Sequence, residues 1–181
     1  SDLPPHACVP CLRARACPFS SAGLHGEGRT GAGLREMRRV GADARFMAML
    51  GGARGEAASR AYMDRNLVDW AKFGFGLWVL RERGSGRLAG RACVRHLDLD
   101  GQDEMEIGYG FFPEFWRQGL GTEIARECAR VGLEDVGAPS VVALTLPENV
   151  GSRRVMTNAG LAFEREIAHG GGTHVLYRRR A

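Results

Sequence analysis

The chain has 181 residues, 44% of them hydrophobic, and its 25 basic and 21 acidic residues give a formal net charge of +4. A chain of this length buries roughly two-thirds of its unfolded surface, so we expect one domain with a full core. The small, dispersed charge excess argues against nucleic-acid binding and suits a polyanionic small ligand or plain solubility. Without an apolar run of about 20 residues or a signal-peptide pattern, the sequence predicts a cytoplasmic protein with no membrane contact.

Residues 1–42 are predicted to form a divergent, partly disordered N-terminal segment. It holds three cysteines and two histidines, namely Cys8, Cys11, Cys17, His6 and His25. A structural zinc site takes four ligands, usually as two spaced pairs, and only Cys8 and Cys11 form such a pair. We therefore expect loosely packed thiols and no metal site. The other two cysteines, Cys93 and Cys128, fall on apolar faces and are predicted to be small core residues.

The middle of the chain predicts one amphipathic helix followed by an antiparallel meander. Apolar residues recur at helical spacing from Gly55 to Phe73, and Gly74 supplies the stop signal. Three strand-like runs follow, at residues 75–82, 87–97 and 103–112, separated by the turn sequences Gly84-Ser-Gly86 and Asp98-Leu-Asp-Gly101. Turns this short join neighbouring antiparallel strands.

The segment Pro-Glu-Phe-Trp-Arg-Gln-Gly-Leu-Gly-Thr, residues 113–122, lies between the third strand and a helical pattern. Gly119 and Gly121 let successive N–H groups point at one anion, and the helix adds the positive end of its dipole. Arg117 is a candidate charge-assisted donor. Because a tight strand-to-helix turn also needs glycine for steric reasons, the segment by itself predicts either a phosphate site or a simple turn.

The last third of the chain completes a mixed sheet. The pattern predicts a helix, a buried strand, a short helix and two closing strands, at residues 122–133, 141–146, 150–159 and on both sides of 169–172. The continuous apolar run of the buried strand indicates that it lies beside the strand that leads into the glycine segment. The predicted fold class is α+β, an α/β sandwich with a mixed, mostly antiparallel central sheet flanked by helices.

Two ordered blocks of sequence carry a resemblance to a known family. The first consists of Glu106-Ile-Gly-Tyr109, Pro113, Phe115-Trp116, Gly119-Leu-Gly121 and Thr122-Glu123, and the second of Asn149, Ser152, Arg154, Val155 and Met156. Together they resemble the GNAT superfamily of acyl-CoA-dependent N-acyltransferases, specifically its RimJ/RimL-like branch. The resemblance covers about residues 43–178 and implies a GNAT-like acyl-CoA-binding catalytic domain over residues 43–181. Before it, only Gly33–Met37 resembles the strand that opens the family's fold.

The resemblance also implies the residues that hold the coenzyme. They are Phe111, Trp116, Arg117, Gln118, Gly119, Leu120, Gly121, Thr122, Asn149 and Arg154, with acetyl-CoA as the co-substrate. On the strand that precedes them, Glu106 shares a face with Gly108 and Gly110. That face is otherwise bare, so we expect the thioester arm to lie against it; the alternative is a simple bend with a solvated Glu106.

Transfer of an acyl group to an amine needs a base, and Glu106 is the predicted one. Backbone N–H near Phe111 is expected to polarise the thioester. Many GNAT enzymes use a tyrosine as the acid, but that position is Met156 here, so the resemblance leaves Ser152 as the acid. Ser152 and Asn149 are equally suited to cap the short helix.

The sequence thus predicts an N-acyltransferase that joins acetyl-CoA and an amine-bearing small molecule or peptide N-terminus in a ternary complex. A non-catalytic acyl-CoA-binding module is the alternative, followed by a small metal- or nucleic-acid-binding protein. A homodimer is left open. Five aromatic residues are suited to wall an acceptor pocket or to fill the core: Phe75, Trp78, Phe112, Phe115 and Trp116.

Overall fold

The computed structural model describes residues 19–28, 31–48, 50 and 52–181. In this part of the chain eight strands form one sheet in the order β1-β2-β3-β4-β5-β6-β8-β7. The strands are β1 Phe19–Ser20, β2 Leu24–Glu27, β3 Leu77–Glu82, β4 Leu88–Leu99, β5 Gln102–Phe111, β6 Ser140–Thr145, β7 Ala162–His169 and β8 Gly172–Arg180. All neighbours are antiparallel except β5 and β6. The predicted mixed, mostly antiparallel sheet is confirmed.

Helices cover both faces of the sheet. They are α1 Gly31–Ala42, α2 Ala44–Met47, α3 Glu56–Phe73, α4 Leu120–Arg130 and α5 Val150–Asn158. Strand β4 shows how the faces are divided, because alternate residues of a strand point to opposite sides. Its Ala92 and Val94 pack in one cluster with Ile124 of α4, whereas Cys93 packs in another with Met63 of α3. We call these the α4 face and the α1–α3 face.

A two-residue turn sets the register of the long β4–β5 ladder. Asp100 and Gly101 both have positive φ, 54° and 78°. Such an Asp-Gly turn matches the twist of the strands it joins and fixes which residues stand opposite each other. Pairs run without a break from Leu99 opposite Gln102 to Gly90 opposite Phe111.

Strands β5 and β6 meet only briefly. Their pairing is recorded at Glu106 and Val142, after which β5 continues for five residues, to Phe111. The two strands therefore diverge into an opening bordered by residues 107–111 of β5. The helix α4 follows that strand after a short 3₁₀ turn at Pro113–Phe115.

The predicted elements match the structure closely from residue 55 onward. Helix α3 ends at Phe73, and Gly74 closes it in the left-handed conformation with an N–H bond to the carbonyl of Trp70. Cys93 and Cys128 are both buried, as predicted. Helix α4 begins two residues earlier than its pattern suggested and continues into a π-helical turn at Val131–Asp135.

The N-terminal part differs from its prediction. Gly33–Met37, expected as the opening strand, lies in α1, where the buried residues Gly33, Met37 and Val40 recur at helical spacing. Strand β2 pairs with β3 instead and buries Leu24 completely. The division at residue 42 remains a prediction, although residues 19–27 and α1 pack into the layers of the same fold.

Two further findings concern metal binding and membrane-spanning helices. Cys8, Cys11 and Cys17 lie outside the described residues. Among the residues that are described, no three His, Cys, Asp or Glu side chains come together as a metal site. None of the helices in that same part of the chain is both long and apolar enough to cross a bilayer.

Candidate active site

The N-terminus of α4 presents backbone N–H groups without side-chain caps. Two residues of the turn before it, Arg117 and Gly119, have φ of 59° and 80°. The first intrahelical bond joins Glu123 N to Gly119 O over 3.1 Å, and no side chain among the described residues caps the helix. The N–H groups of residues 120–122 consequently lack intrahelical acceptors, which makes this helix end suited to anions. We call residues 117–122 the α4 amide site.

The two glycines of this site have different surroundings. A Cβ added at Gly119 would meet no atom of the described residues within 4 Å, so in that part of the chain the space beside its backbone is open. A Cβ at Gly121 would lie 3.2 Å from the Val155 side chain of α5. Gly119 thus leaves room for a ligand, whereas Gly121 allows α4 and α5 to pack closely.

Charges around the amide site favour an anion. Arg117 and Arg154 are exposed, and no ion pair is recorded for either among the described residues. The acidic residue of the first helical turn, Glu123, accepts a hydrogen bond of 2.8 Å from the N–H of Gly23 in the β1–β2 turn. Its carboxylate is therefore occupied by the neighbouring hairpin. Gln118 donates to the carbonyl of Glu114 over 2.8 Å.

The end of β5 carries an N–H group that faces the opening between β5 and β6. Phe112 donates its N–H to the carbonyl of Ala89 on the β4 side, over 3.0 Å. Because consecutive N–H groups of an extended strand point to opposite edges, the N–H of Phe111 points toward β6. The Phe111 carbonyl accepts from the indole N–H of Trp116 over 2.9 Å, which ties the exposed Trp116 to the strand.

Ser152 and Asn149 have different roles in the structure. Asn149 is the N-cap of α5, and its Oδ1 accepts from the Ser152 N–H over 3.1 Å. The hydroxyl of Ser152 instead lies 3.1 Å from the hydroxyl of Tyr109. The bond joins α5 to β5 on the α4 face. Burial raises the pKa of Tyr109 above its usual value, so the phenol is a neutral donor at physiological pH.

Sequence reasoning missed Tyr109 as the partner of Ser152, although it stands in the Glu-Ile-Gly-Tyr block. The alternation of the strand places it on the face opposite Glu106. That signal was present, but only the approach of α5 to β5 brings the two hydroxyls together.

On the other face, Glu106 forms an ion pair with Arg95. Arg95 Nε lies 2.5 Å from Glu106 Oε2, and Glu106 is 8% exposed. Burial by itself would lower the pKa of Arg95, but neighbouring Cys93 and Glu106 raise it, so the guanidinium stays charged. This partner was not predicted from the sequence. The Asp100-Gly101 turn was the available signal, because its register sets Arg95 opposite Glu106.

The face of β5 beside Gly108 and Gly110 is filled by the protein itself. A Cβ at Gly108 would lie 2.9 Å from Cys93 Sγ, and one at Gly110 would lie 2.9 Å from Leu50 and 3.0 Å from Phe46. The glycines therefore make room for side chains of β4 and of the region around α2, in place of the expected thioester arm. The alternative of a solvated Glu106 fails as well, because the carboxylate is buried and paired.

Comparison with known proteins identifies the family. A family model described as "Acetyltransferase (GNAT) domain" matches residues 33–162. The chain belongs to the GNAT acetyltransferase family. The enzyme class predicted from the sequence, an acyl-CoA-dependent N-acyltransferase, is thereby confirmed. The GNAT chain is 25% identical over 139 residues to the uncharacterized protein YkkB of Bacillus subtilis, across 77% of this chain and 81% of that one.

A second relative is an FsC-acetyl coenzyme A-N(2)-transacetylase of Aspergillus fumigatus. It is 41% identical over 92 residues, which span 49% of this GNAT chain and 39% of the fungal protein. Among solved structures, an acetyltransferase from Agrobacterium tumefaciens superposes with a TM-score of 0.79 at 19% identity, covering 92% and 95% of the two chains.

The solved structures that resemble this chain also include a protein of the predicted RimJ/RimL-like branch. A RimL ribosomal L7/L12 alpha-N-protein acetyltransferase in complex with coenzyme A superposes with a TM-score of 0.70 at 13% identity, covering 88% and 95% of the two chains. The resemblance predicted from the sequence, to GNAT proteins with RimJ/RimL-like relatives, is confirmed. In this GNAT domain Phe75, Trp78 and Phe115 are buried core residues, Phe112 is partly buried and Trp116 is exposed.

Proposed function

We propose that this GNAT protein transfers an acetyl group from acetyl-CoA to a primary amine by direct attack within a ternary complex. One observation carries the proposal: the uncapped N–H groups of the α4 amide site open onto free space beside Gly119. Such a helix end suits the pyrophosphate of a coenzyme, because N–H groups and the helix dipole both favour negative charge. Acetyl-CoA as the donor is supported by two of the relatives, since the fungal protein is an acetyl coenzyme A transacetylase and the RimL structure is a complex with coenzyme A.

In this proposal the donor occupies the α4 face. The pyrophosphate lies on the amide site, where Arg117 and Arg154 add charge from the solvent side. The pantetheine arm then runs into the opening between β5 and β6 and brings the thioester to Phe111. The N–H of Phe111 donates to the thioester oxygen, which gains negative charge as the amine attacks.

Glu106 is the proposed base that takes the proton of the attacking amine, directly or through a water. Its ion pair with Arg95 holds the carboxylate in one place. Attack forms the new C–N bond, and collapse of the tetrahedral intermediate breaks the C–S bond and releases the CoA thiolate. The hydroxyl of Ser152 donates to the leaving sulfur, and Tyr109 orients that hydroxyl from β5.

Positioning accounts for much of the proposed acceleration, because a bound thioester and a bound amine react as one complex. A CoA thiolate is a fair leaving group at neutral pH, so the contribution of Ser152 is expected to be smaller than that of Glu106. The acceptor approaches from the α1–α3 face, where Glu106 lies, and the donor from the α4 face.

The test is calorimetric titration of coenzyme A into the protein and two matched variants, Gly119→Ala and Gly137→Ala. Both glycines have left-handed φ, 80° and 78°, and open space for a Cβ, so the backbone strain is the same, about 1 kcal/mol. Only Gly119 lies at the amide site. We expect the Kd for coenzyme A to rise at least tenfold in Gly119→Ala and to stay within twofold in Gly137→Ala.

Equal affinities in the two variants would contradict the phosphate role of the amide site. Initial rates with acetyl-CoA and a panel of amines, measured on the unmodified protein, complete the test. Intersecting double-reciprocal lines are expected for a ternary complex, and parallel lines would contradict direct attack.

A further inference from the structure

The Glu106–Arg95 pair uses only part of its hydrogen-bonding capacity. Arg95 Nε donates to Glu106 Oε2 over 2.5 Å, and within the described residues no other hydrogen bond is recorded for either side chain. The two terminal nitrogens of Arg95 and the second oxygen of Glu106, Oε1, therefore have no partner in that part of the chain. A guanidinium carries five N–H donors and a carboxylate accepts at both oxygens, so the pair can still bind a further group on both sides.

These three atoms are open to a second molecule. The side chain of Arg95 is 26% exposed and that of Glu106 is 10% exposed. In the described part of the chain, no fully buried polar atom without a partner belongs to this pair. The free donors of Arg95 and the free oxygen of Glu106 consequently face accessible space.

A second arginine on the same face of the sheet is different, because it uses all three nitrogens. Arg178 donates from Nε to Glu164, from Nη1 to Glu104 and Ser140, and from Nη2 to both glutamates, over 2.7–3.2 Å. Its contacts join β5, β6, β7 and β8, so the fold accounts for every nitrogen. The fold accounts for only one nitrogen of Arg95.

The neighbours of the pair on this face offer no free acceptor. The Glu104 carboxylate, which precedes Glu106 on the same face of β5, is bonded to Arg178. The other described neighbours along β4, β5 and β6 lack a side-chain oxygen, namely Cys93, Leu97, Gly108 and Val142. An acceptor for the terminal N–H groups of Arg95 must therefore come from solvent or from a ligand.

The free atoms lie close enough to engage one small molecule. The terminal nitrogens of Arg95 share a carbon with Nε, and Oε1 of Glu106 shares a carbon with Oε2, so the 2.5 Å bond between Nε and Oε2 holds them within a few ångströms. An amine that donates to Oε1 can place an oxygen against the guanidinium when the adjacent carbon carries that oxygen, in the order N–C–C–O. The pair is neutral overall, so this oxygen needs no charge of its own.

We propose that Arg95 holds Glu106 through Nε and binds an oxygen of the acyl acceptor through its terminal N–H groups. The inference rests on the proposed function and names the substrate class: a primary amine whose neighbouring carbon carries a hydroxyl or carbonyl oxygen. A guanidinium has donors only, so it discriminates against an alkyl group or a second ammonium at that position. Arg95 is thus a specificity-determining residue.

The experiment compares amines of nearly equal shape that differ in the oxygen. Initial rates are measured with acetyl-CoA and two pairs, ethanolamine against propylamine and glycinamide against isobutylamine. Each kcat/KM is expressed per unprotonated amine and divided by the uncatalysed rate of that amine with acetyl-CoA, which removes differences in basicity and intrinsic reactivity.

We expect at least tenfold higher values for the oxygen-bearing member of one pair, the effect of one hydrogen bond to a charged group. The pair with the larger preference identifies the oxygen as hydroxyl or carbonyl. Ethylenediamine is expected to react no faster than propylamine. Equal values within both pairs would overturn the inference while leaving the transferase proposal intact.

Variants connect the preference to Arg95. Arg95→Gln is expected to slow all acceptors, because Glu106 loses its partner, and to reduce the preference to within twofold. Arg95→Lys keeps the positive charge and the ion pair but has one nitrogen in place of three, so the preference should fall there as well. Arg178→Gln is the matched control, since it also breaks an ion pair on this face, and it should retain the full preference.

A purely structural role of Arg95 would slow both members of a pair equally. A preference that survives in Arg95→Gln and Arg95→Lys would place the oxygen elsewhere and overturn the inference.

A binding measurement separates this inference from the transferase proposal. The uncharged products N-acetylethanolamine and N-propylacetamide, or the corresponding products of the second pair, are titrated into the protein in the presence of coenzyme A and followed by NMR. We expect the oxygen-bearing product to bind at least tenfold more tightly, and Arg95→Gln to remove the difference. If no amine is acetylated but this difference persists, the transferase proposal fails alone. If amines are acetylated and both products bind equally, the role of Arg95 in acceptor choice fails alone.

Discussion

The two faces of the central sheet contribute different kinds of groups to the proposed site. On the α4 face the anion site consists of backbone N–H groups and the space beside Gly119. On the α1–α3 face the groups that matter are the side chains of the Glu106–Arg95 pair. A backbone site recognises a diphosphate through features common to any sequence that folds this way. A side-chain site recognises whatever its particular residues complement.

The difference teaches where specificity is expected to lie. Backbone N–H groups are fixed by the helix, so side-chain substitutions on the α4 face should change coenzyme affinity little unless they fill the space at Gly119 or remove the charge of Arg117 or Arg154. Substitutions on the α1–α3 face remove charges and hydrogen bonds directly. We therefore expect that face to control catalysis and acceptor choice.

The largest expected effect comes from Glu106→Gln. Glutamine keeps the size of the side chain and a hydrogen-bond acceptor for Arg95, but it cannot take a proton. We expect kcat to fall by about 10² to 10⁴. The Kd for acetyl-CoA should stay within twofold, because the proposed coenzyme site lies on the other face. Steady-state rates and calorimetric titration provide the two measurements.

Glu104→Gln serves as the control for this comparison. Glu104 lies two residues earlier on the same face of β5 and is likewise ion-paired with an arginine, at 2.7 Å from Arg178. We expect its kcat to remain within twofold of the unmodified protein. Equal losses in the two variants would mean that the ion pairs act through the fold, and Glu106 would no longer be the base.

A smaller effect is expected from the hydroxyl pair on the α4 face. Ser152→Ala removes the proposed donor to the leaving sulfur, and we expect kcat to fall by about tenfold, or about 1.4 kcal/mol. Tyr109→Phe should cause a smaller loss, since Tyr109 acts through Ser152. Burial raises the pKa of Tyr109, so the phenol stays protonated up to at least pH 10 and its removal should leave the pH–rate profile unchanged in shape.

A shift in that profile on Tyr109→Phe would instead show that the phenol itself ionises during turnover. An undiminished kcat in Ser152→Ala would remove Ser152 from the chemistry and leave it as the structural link between α5 and β5.

The smallest effect on activity is expected from Asn149→Ala. Asn149 caps α5 through its bond to the Ser152 N–H, and the loss of such a cap costs about 1 kcal/mol of unfolding free energy. Urea denaturation measures this cost. We expect the Kd for coenzyme A to stay within twofold at a temperature where the variant is fully folded. A tenfold weaker affinity would instead indicate that Asn149 contacts the coenzyme, as the family resemblance implies.

Much of the fold from residue 55 onward could be predicted from local patterns. Helical spacing and the glycine at position 74 bound α3, and the short turns imply the meander of β3, β4 and β5. The opening strand was misplaced, because β2 is only four residues long and is recognisable mainly through its pairing with β3. Short edge strands depend on their neighbours more than on their own sequence.

The candidate site shows the same division. The glycine segment before α4 was predictable, because turn chemistry and helix polarity are local properties. The partners of Glu106 and Ser152 were not predicted, although a register count from the Asp100-Gly101 turn would have given Arg95. Gly108 and Gly110 were predicted to leave room for the thioester arm, but side chains of the protein occupy that space. A strand face without side chains has the same sequence pattern whether a ligand or a helix covers it.

The amino-acid sequence by itself determined the family, the layered fold and the position of the amide site, since each depends on residues close together in the chain. Only the tertiary structure decided which side chains meet: Tyr109 with Ser152, and Tyr62 with Arg54 and Arg91. These contacts join residues dozens of positions apart. Their geometry depends on where the helices pack on the sheet. The packing of whole elements sets that position, and no local sequence pattern does.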